Sequence, residues 1–378
     1  MSSGYFSFED DLLKHHVRTH GWLPSCRRRL QAIRIQNPRY PRRLRYFTFC
    51  AAGAVDVLML DVARIIRRSA NDKFDSVVFF DRTAEAVSET QKNIPGAIGF
   101  PGDFTSIVLL QDPDEDNLVG EDPLRTSVVE QNTESTRRSQ VVRAQQRMFV
   151  QQFPFDVINL DLEEFLLKPN DAVPGRVINS LRKLLQWQRN PMSSTNQDIG
   201  AFALMFTTQI GPPNLGDDYL GMLEQYLRRN LQEDPSLVAT LQGRTGLDDP
   251  SALRRRDFSE FFRLAMPKII AWIAMDEDWF VDPERGITIY EFERPSTSGP
   301  YKMLHLVMDV RRQTPPRERR APGERFGDDV EDAYRSVVRG IFQNAQITVS
   351  DATIDPDTLR KDLDKIFARR RKYLRETE

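Results

Sequence analysis

The sequence predicts an α/β protein: a doubly wound, mainly parallel sheet with a late antiparallel hairpin, a helical insertion and C-terminal helices. Two observations predict it. Short apolar runs that end in polar residues alternate with stretches of helical spacing, which is the pattern of strands covered by helices on both faces. Further on, two runs of alternating character flank Arg294-Pro295-Ser296-Thr297-Ser298-Gly299-Pro300, as the two arms of a hairpin do.

Taken in order, residues 1–45 read as a basic N-terminal extension. A helix over 9–18 follows Phe6-Ser7-Phe8, and Pro24, Pro38 and Pro41 interrupt what comes after. The body starts at Tyr46. Tyr46-Phe47-Thr48-Phe49-Cys50-Ala51 is aromatic and apolar enough for a buried strand. The small residues Ala52, Gly53 and Ala54 make a turn, and Val55, Leu58, Val62, Ile65 and Ile66 give 55–67 a helical period. Ser76-Val77-Val78-Phe79-Phe80-Asp81 is a second strand, which completes a βαβ unit. Residues 82–93 continue as a helix, and Ala97-Ile98-Gly99-Phe100 is a short third strand before Pro101-Gly102-Asp103-Phe104.

Residues 112–150 form a polar insertion with no clean period until a helix near 138–152. Phe155-Asp156-Val157-Ile158-Asn159-Leu160 is the fourth strand. Val177, Leu181, Leu184, Leu185 and Gln188 share a helical face, and residues 201–208 supply the fifth strand. Residues 217–280 are a helical insertion, with helices over 217–231 and 251–275. The hairpin strands are 287–292 and 302–310. Residues 311–327, rich in proline and arginine, form a linker. Residues 328–378 are a C-terminal helical segment: Val330, Ala333, Tyr334, Val337, Val338 and Ile341 mark one amphipathic helix and 357–375 a second, whose apolar faces need a partner in the body or in another protein.

The formal charge of −2 hides a segregation. No acidic residue lies between Leu12 and Val55, while Lys14, Arg18, Arg27, Arg28, Arg29, Arg34, Arg39, Arg42, Arg43 and Arg45 are basic, and acids crowd 112–122. Such asymmetry points to a polyanion, RNA or DNA, with Arg27, Arg28, Arg29, Arg42 and Arg43 neutralising phosphates and Trp22 stacking on an unpaired base. Pairing of these charges within the fold is the alternative. Cys26 and Cys50 give neither a disulfide framework nor a metal spacing. His15, His16 and His20 lack a further converging ligand, so no metal is assigned. There is no phosphate-binding lysine turn and no nucleophile elbow. Glu9, Asp10 and Asp11 stand where a leader would be basic, and no apolar run reaches the roughly 18 residues that span a bilayer. A cytoplasmic protein with no membrane segment is expected.

Four local strings stand where one large family keeps its site. Phe49-Cys50-Ala51-Ala52-Gly53-Ala54 occupies the place of a glycine-rich turn, Phe79-Phe80-Asp81 that of a ribose-binding acid, Gly102-Asp103-Phe104 that of an acid near adenine, and Asn159-Leu160-Asp161-Leu162 that of a target-amine motif. Over residues 46–310 the combination resembles class I S-adenosylmethionine-dependent methyltransferases, which have a Rossmann-like sheet. The fourth-strand region looks most like that of tRNA guanosine-26 dimethyltransferases and of bacterial three-Cys-motif partner proteins. The resemblance implies S-adenosyl-L-methionine as cofactor and a nucleic-acid base as target. Through the three-Cys partners it also implies a bacterial antiviral defence setting, while the helical insertion and the C-terminal helices themselves offer surfaces for a partner protein.

Each position has its own chemistry. Ala52 and Gly53 let a ligand approach the backbone, beside the free N–H groups of a helix start. Asp81 lies 28 residues after Gly53, near the roughly 20-residue spacing at which a carboxylate reaches ribose hydroxyls. Asp103 can accept from an adenine amino group or close a turn. Asn159 or Asp161 can accept the hydrogens of a target amine and hold its lone pair toward a methyl donor, or can cap the strand. Leu160 and Leu162 replace the prolines of the family motif. A methyltransferase fold kept as a non-catalytic scaffold for a nucleic acid or partner subunit is therefore the second reading.

Overall fold

The computed structural model describes residues 12–36, 38–39, 42–50, 53–66, 73–110, 133–162, 175–189, 199–210, 217–281, 287–294, 301–312, 338–342, 347–350 and 352–377. Among these, nine strands form one sheet. β1 (Tyr46–Phe49), β2 (Val77–Asp81), β3 (Ile98–Pro101), β4 (Val157–Asp161) and β5 (Ala201–Ile210) are parallel in the order β3-β2-β1-β4-β5. β8 (Tyr301–Arg312) runs antiparallel along the whole of β5. β6 (Trp279–Val281) and β7 (Ile287–Arg294) pair antiparallel with β8, and β9 (Ile347–Val349) adds in parallel to β7. The protein is thus α/β with a mostly parallel sheet. The late hairpin, β7 with β8, puts an antiparallel strand directly beside β5.

The parallel strands read as unbroken apolar runs because both faces are covered, and successive residues face opposite sides. Phe47, Val78, Phe80, Ile158, Leu160, Leu204 and Phe206 share one cluster with Phe104 of α5 (Phe104–Val108), Phe149 of α6 (Thr133–Val150), Leu181 and Leu184 of α7 (Arg176–Arg189), and the insertion helices. The insertion comprises α8 (Asp217–Glu233), α9 (Pro235–Thr245), α10 (Pro250–Arg256) and α11 (Phe258–Asp276). Asp234-Pro235 and Asp249-Pro250 each place a capping carboxylate before a proline in the first helical turn, which starts a new helix where the expectation had none or a later start. Its Leu223, Leu227, Phe261 and Ile270 belong to the sheet's own cluster, so the insertion extends the core.

The opposite face holds Tyr46, Val77, Phe79, Val157, Ala203 and Met205. It is covered by α1 (Leu12–Val17), a π-helical turn (Arg18–Trp22), α2 (Leu23–Gln36), α3 (Val55–Val62) and α12 (Pro356–Thr377), with α4 (Ala84–Asn93) alongside.

Several expectations are corrected here. Residues 12–36 are not an extension: Val17, Trp22, Cys26, Leu30 and Ile33 are buried against β5, β7 and β8. Nor does Pro24 interrupt the helix. The turn before it is π-helical, with Leu23 N–H bonded to the Arg18 carbonyl, and the His20 carbonyl accepts instead from the Tyr290 hydroxyl at 3.0 Å. The helix after β1 stops at Val62. Arg64 takes a left-handed φ of 57° and the N–H groups of Arg64 and Ile65 return to the Asp61 and Leu60 carbonyls, which turns Ile65 and Ile66 inward. The C-terminal segment is not wholly helical, since β9 joins the sheet. Of the two expectations for the apolar side of α12, packing on the body holds: Leu363, Ile366 and Tyr373 are buried, and Arg369 and Tyr373 both bond Asp61 of α3. Arg311 and Arg312 belong to β8, whereas residues 313–327 of the expected linker, and Ala52, lie outside the described residues. Among the described residues no helix is long and apolar enough to cross a membrane.

Candidate functional site

The strand order reverses between β1 and β4, and in an open α/β sheet ligands bind in the crevice outside the carboxyl ends at such a point. Asp161 is the last residue of β4 and stands there. Its Oδ2 lies 2.7 Å from Lys14 Nζ of α1, and each side chain is only 10 % exposed. Burial pushes the Asp161 carboxyl up, but the Lys14 ammonium and its hydrogen bond, with the Arg18 guanidinium, hold it below the usual carboxylate value. Asp161 Oδ1 accepts no hydrogen bond among the described residues.

Asn159 faces the same side, one residue pair deeper. It is fully buried, and its Nδ2 donates to Tyr46 Oη at 2.9 Å and Thr48 Oγ1 at 3.4 Å. Both hydroxyls in turn donate to Oδ2 of the buried Asp56, at 3.0 and 2.9 Å. A hydroxyl that has given its proton to a carboxylate can only accept from the amide, so the NH2 end of Asn159 must face β1 and its Oδ1 must face away. That oxygen too has no partner among the described residues.

Farther along this face, His305 of β8 sits opposite Thr207 of β5. The Trp22 indole donates to His305 Nε2, so the neutral ring carries its proton on Nδ1 and offers it to Thr207 Oγ1 at 2.6 Å. Burial pushes this imidazole down to about 3, which keeps it neutral. Trp22 is therefore a buried anchor and not a stacking platform. The α1–α2 helix descends from Lys14 at the carboxyl ends to Arg28, which pairs with Asp309 at 3.0 Å.

The candidate cofactor residues line the β1–β3 side. Gly53 has a φ any residue can adopt, and a Cβ there would meet only Val55 at 3.4 Å; the left-handed position of this turn is Ala54, with φ 44°. Asp81 ends β2, half-buried. Burial raises its carboxyl, opposed by the Arg82 N–H that its Oδ1 accepts at 2.7 Å. Asp103 caps α5: its Oδ2 takes Thr105, both the N–H and hydroxyl of Ser106, and Arg176 at 2.7 Å.

Of the arginines, Arg27 is exposed on α2, Arg28 is half-buried and Arg29 buried. Arg42 forks onto both oxygens of Asp156, just before β4, and Arg43 pairs with Asp75, just before β2. Both lie at the amino ends of the strands, separated from Asp161 by the length of β4, about 16 Å at roughly 3.3 Å per residue. The arginine cluster and the strand-end acids thus occupy opposite edges of the sheet. His16 and His20 stack with ring centroids 4.0 Å apart, and among the described residues no group of three or more His, Cys, Asp or Glu is placed to hold a metal.

Sequence reasoning missed Lys14, Asp56 and His305. An acid inside the apolar run Val55-Asp56-Val57-Leu58-Met59-Leu60 and a lone histidine in Leu304-His305-Leu306 were the available signals, since a polar group in such a run needs a buried partner.

The fold and site define an α/β protein whose strand order reverses between β1 and β4, with α1 packed over the carboxyl end of β4 through Lys14 and Asp161. A family model described as PP_RS20740-like matches residues 125–281, less than half of the chain. That span runs through α6, β4, α7, β5, the insertion helices and β6, and contains Asn159 and Asp161 but not Lys14 or His305. No curated protein matches the chain.

Proposed function

We propose that the chain is a methyltransferase-like protein that binds S-adenosyl-L-methionine across the carboxyl ends of β1, β2 and β3 and acts on an amino group of a nucleic-acid base. The observation that carries this reading is the sheet: five parallel strands followed by a late antiparallel hairpin, as the resemblance implies, here in the order β3-β2-β1-β4-β5 with β8 between β5 and β7. The residues present fit the cofactor on one side. Asp81 is a carboxylate at a strand end beside the reversal, suited to ribose hydroxyls. Gly53 leaves its turn open to close approach, whereas the contacts of Asp103 are those of a helix cap. The cofactor would supply an electrophilic methyl group. Asp161 would orient the target amine.

A specific observation favours the second reading, a scaffold without turnover: Asn159 is sealed into the Tyr46–Thr48–Asp56 network and Asp161 is occupied by Lys14. Calorimetric titration with S-adenosylmethionine tests the cofactor site. Saturable binding that Asp81→Ala abolishes is expected, and absence of heat at millimolar ligand overturns the proposal. Methyl transfer to RNA or DNA oligonucleotides then separates the two readings, because Asp161→Ala should spare cofactor binding and remove transfer only if the site turns over.

A further inference from the structure

We infer that the carboxyl end of β4 is an amino-group site and that Lys14 is the chain's own occupant of it, which makes α1 a displaceable pseudosubstrate. The inference deepens the reading above and rests on it only for the identity of the methyl donor.

Three observations carry it. First, Lys14 Nζ sits 2.7 Å from Asp161 Oδ2 at the strand-order reversal, where a ligand amine would be held. Second, the surface under it is rich in acceptors. Asn159 Oδ1, turned away from β1 by its amide's own bonds, and Asp161 Oδ1 are both buried, and neither receives a hydrogen bond among the described residues. Buried acceptors without donors are costly and rare, so a group with several N–H donors is the complement this surface lacks. An amino or ammonium group is such a group, and a carboxylate or phosphate is not. Third, the element that delivers Lys14 is divided. The π-helical turn Arg18–Trp22, followed by Pro24, interrupts the regular ladder between α1 and α2. The fixings beyond it hold α2 and the turn: Trp22 to His305, the His20 carbonyl to Tyr290, and Arg28 to Asp309. These fixings hold the turn and Leu23–Gln36 independently of Leu12–Val17, so α1 leaves by uncovering only its own buried residues, Lys14, His15 and Val17.

Chemistry makes Lys14 a block and not a substrate. An ammonium paired with a carboxylate has no lone pair with which to accept a methyl group, so the site is closed while α1 is seated. A ligand amine must compete with Lys14 for Asp161, and whatever draws α1 away opens the site.

The test uses n-butylammonium as a mimic of the lysine side chain and n-butanol as its uncharged control. Lys14→Ala, in the full chain, should bind n-butylammonium at least about tenfold more tightly than wild type in calorimetry, with no response to n-butanol. The double variant Lys14→Ala/Asp161→Asn should lose that binding. Lys14→Met, which keeps the apolar stem, repeats the measurement if the alanine variant does not fold. In wild-type protein n-butylammonium, and not n-butanol, should speed amide exchange in Leu12–Val17 while leaving Leu23–Gln36 unchanged. Equal affinity for wild type and the Lys14 variants, equal effects of amine and alcohol, or binding that survives Asp161→Asn overturns the inference. S-adenosylmethionine titration of the same samples keeps the two ideas apart: loss of cofactor binding alone removes the methyltransferase reading, and loss of amine binding alone removes this one.

Discussion

On one face of the sheet, Phe47, Phe80, Phe100, Phe104, Phe149, Phe153 and Phe155 pack ring against ring, with Phe149 touching six other aromatic residues at centroid distances from 4.9 to 6.4 Å. On the other, the same strands bury Thr48, Asn159, Asp161, Thr207, His305 and Asp309 beneath α1, α2 and α3. Both faces are closed to solvent, yet they are held by different physics. The aromatic face needs only volume and shape, and any loss of volume leaves a cavity. The polar face needs each donor matched to an acceptor, and at Asn159 and Asp161 the matching is incomplete. Both faces bury apolar clusters, but the unmatched polar atoms at the strand ends lie on the second.

The largest expected effect comes from breaking the aromatic face. Phe149→Ala should cost about 3–5 kcal/mol, read as a drop in the denaturation midpoint at unchanged slope. A loss below about 1 kcal/mol would show that the cluster collapses around the gap.

On the other face, acid should act through buried titratable groups. The His305 imidazole is held down to about 3 while the unfolded chain titrates near 6.5, so the unfolded state takes up the proton first. The stability that neutral His305 contributes is complete above pH 6.5 and falls by about 1.4 kcal/mol per pH unit as pH drops toward 3. Asp161, whose carboxyl is lowered, adds a second loss in a more acid window, as pH falls below the ordinary carboxylate range. His305→Gln should flatten urea-denaturation stability between pH 6 and 4; an unchanged slope would remove His305 as the source.

Trp22→Phe sharpens the same comparison at smaller scale. It keeps most of the apolar volume but leaves His305 Nε2 without its donor, for a cost of about 1–3 kcal/mol. Near-isosteric exchange at Phe153, which has no polar atom to orphan, should cost less in the same denaturation assay. The smallest effect is at the β1 turn. Ala54 holds φ 44°, and Ala54→Gly should stabilise by up to about 1 kcal/mol, seen as a rise of a few degrees in Tm. A fall would mean that the unfolded chain's gain in freedom outweighs the relief of the turn.

Much of the fold was legible because burial on both faces writes apolar runs, as at β1, β2, β4 and β5, while β7 and β8 show as alternating runs on either side of a turn. The three-residue strands β6 and β9 were not, since they are too short to show a period. The N-terminal helix was misjudged for a different reason. Proline normally ends a helix, and only Tyr290, far away in the chain, supplies the donor that lets this one continue in a π-helical turn. The site was half legible: position at a strand end singled out Asp81 and Asp161, while nothing local marked Lys14 as the partner of Asp161 or Asp156 as the partner of Arg42.

The sequence by itself determined the mostly parallel α/β architecture, the late antiparallel hairpin and the strand-end acids, because hydrophobic periodicity and turn chemistry are local. Only the tertiary structure decided which charges are spent on holding the fold and which polar atoms are left to bind something else. Arg42, Arg43 and Arg28 fall in the first group, through Asp156, Asp75 and Asp309, and the free oxygens of Asn159 and Asp161 fall in the second. The physical reason is that an ion pair or hydrogen bond is made between atoms a few ångströms apart, and the residues that meet at this sheet are brought together by its strand order and not by their neighbours in the chain.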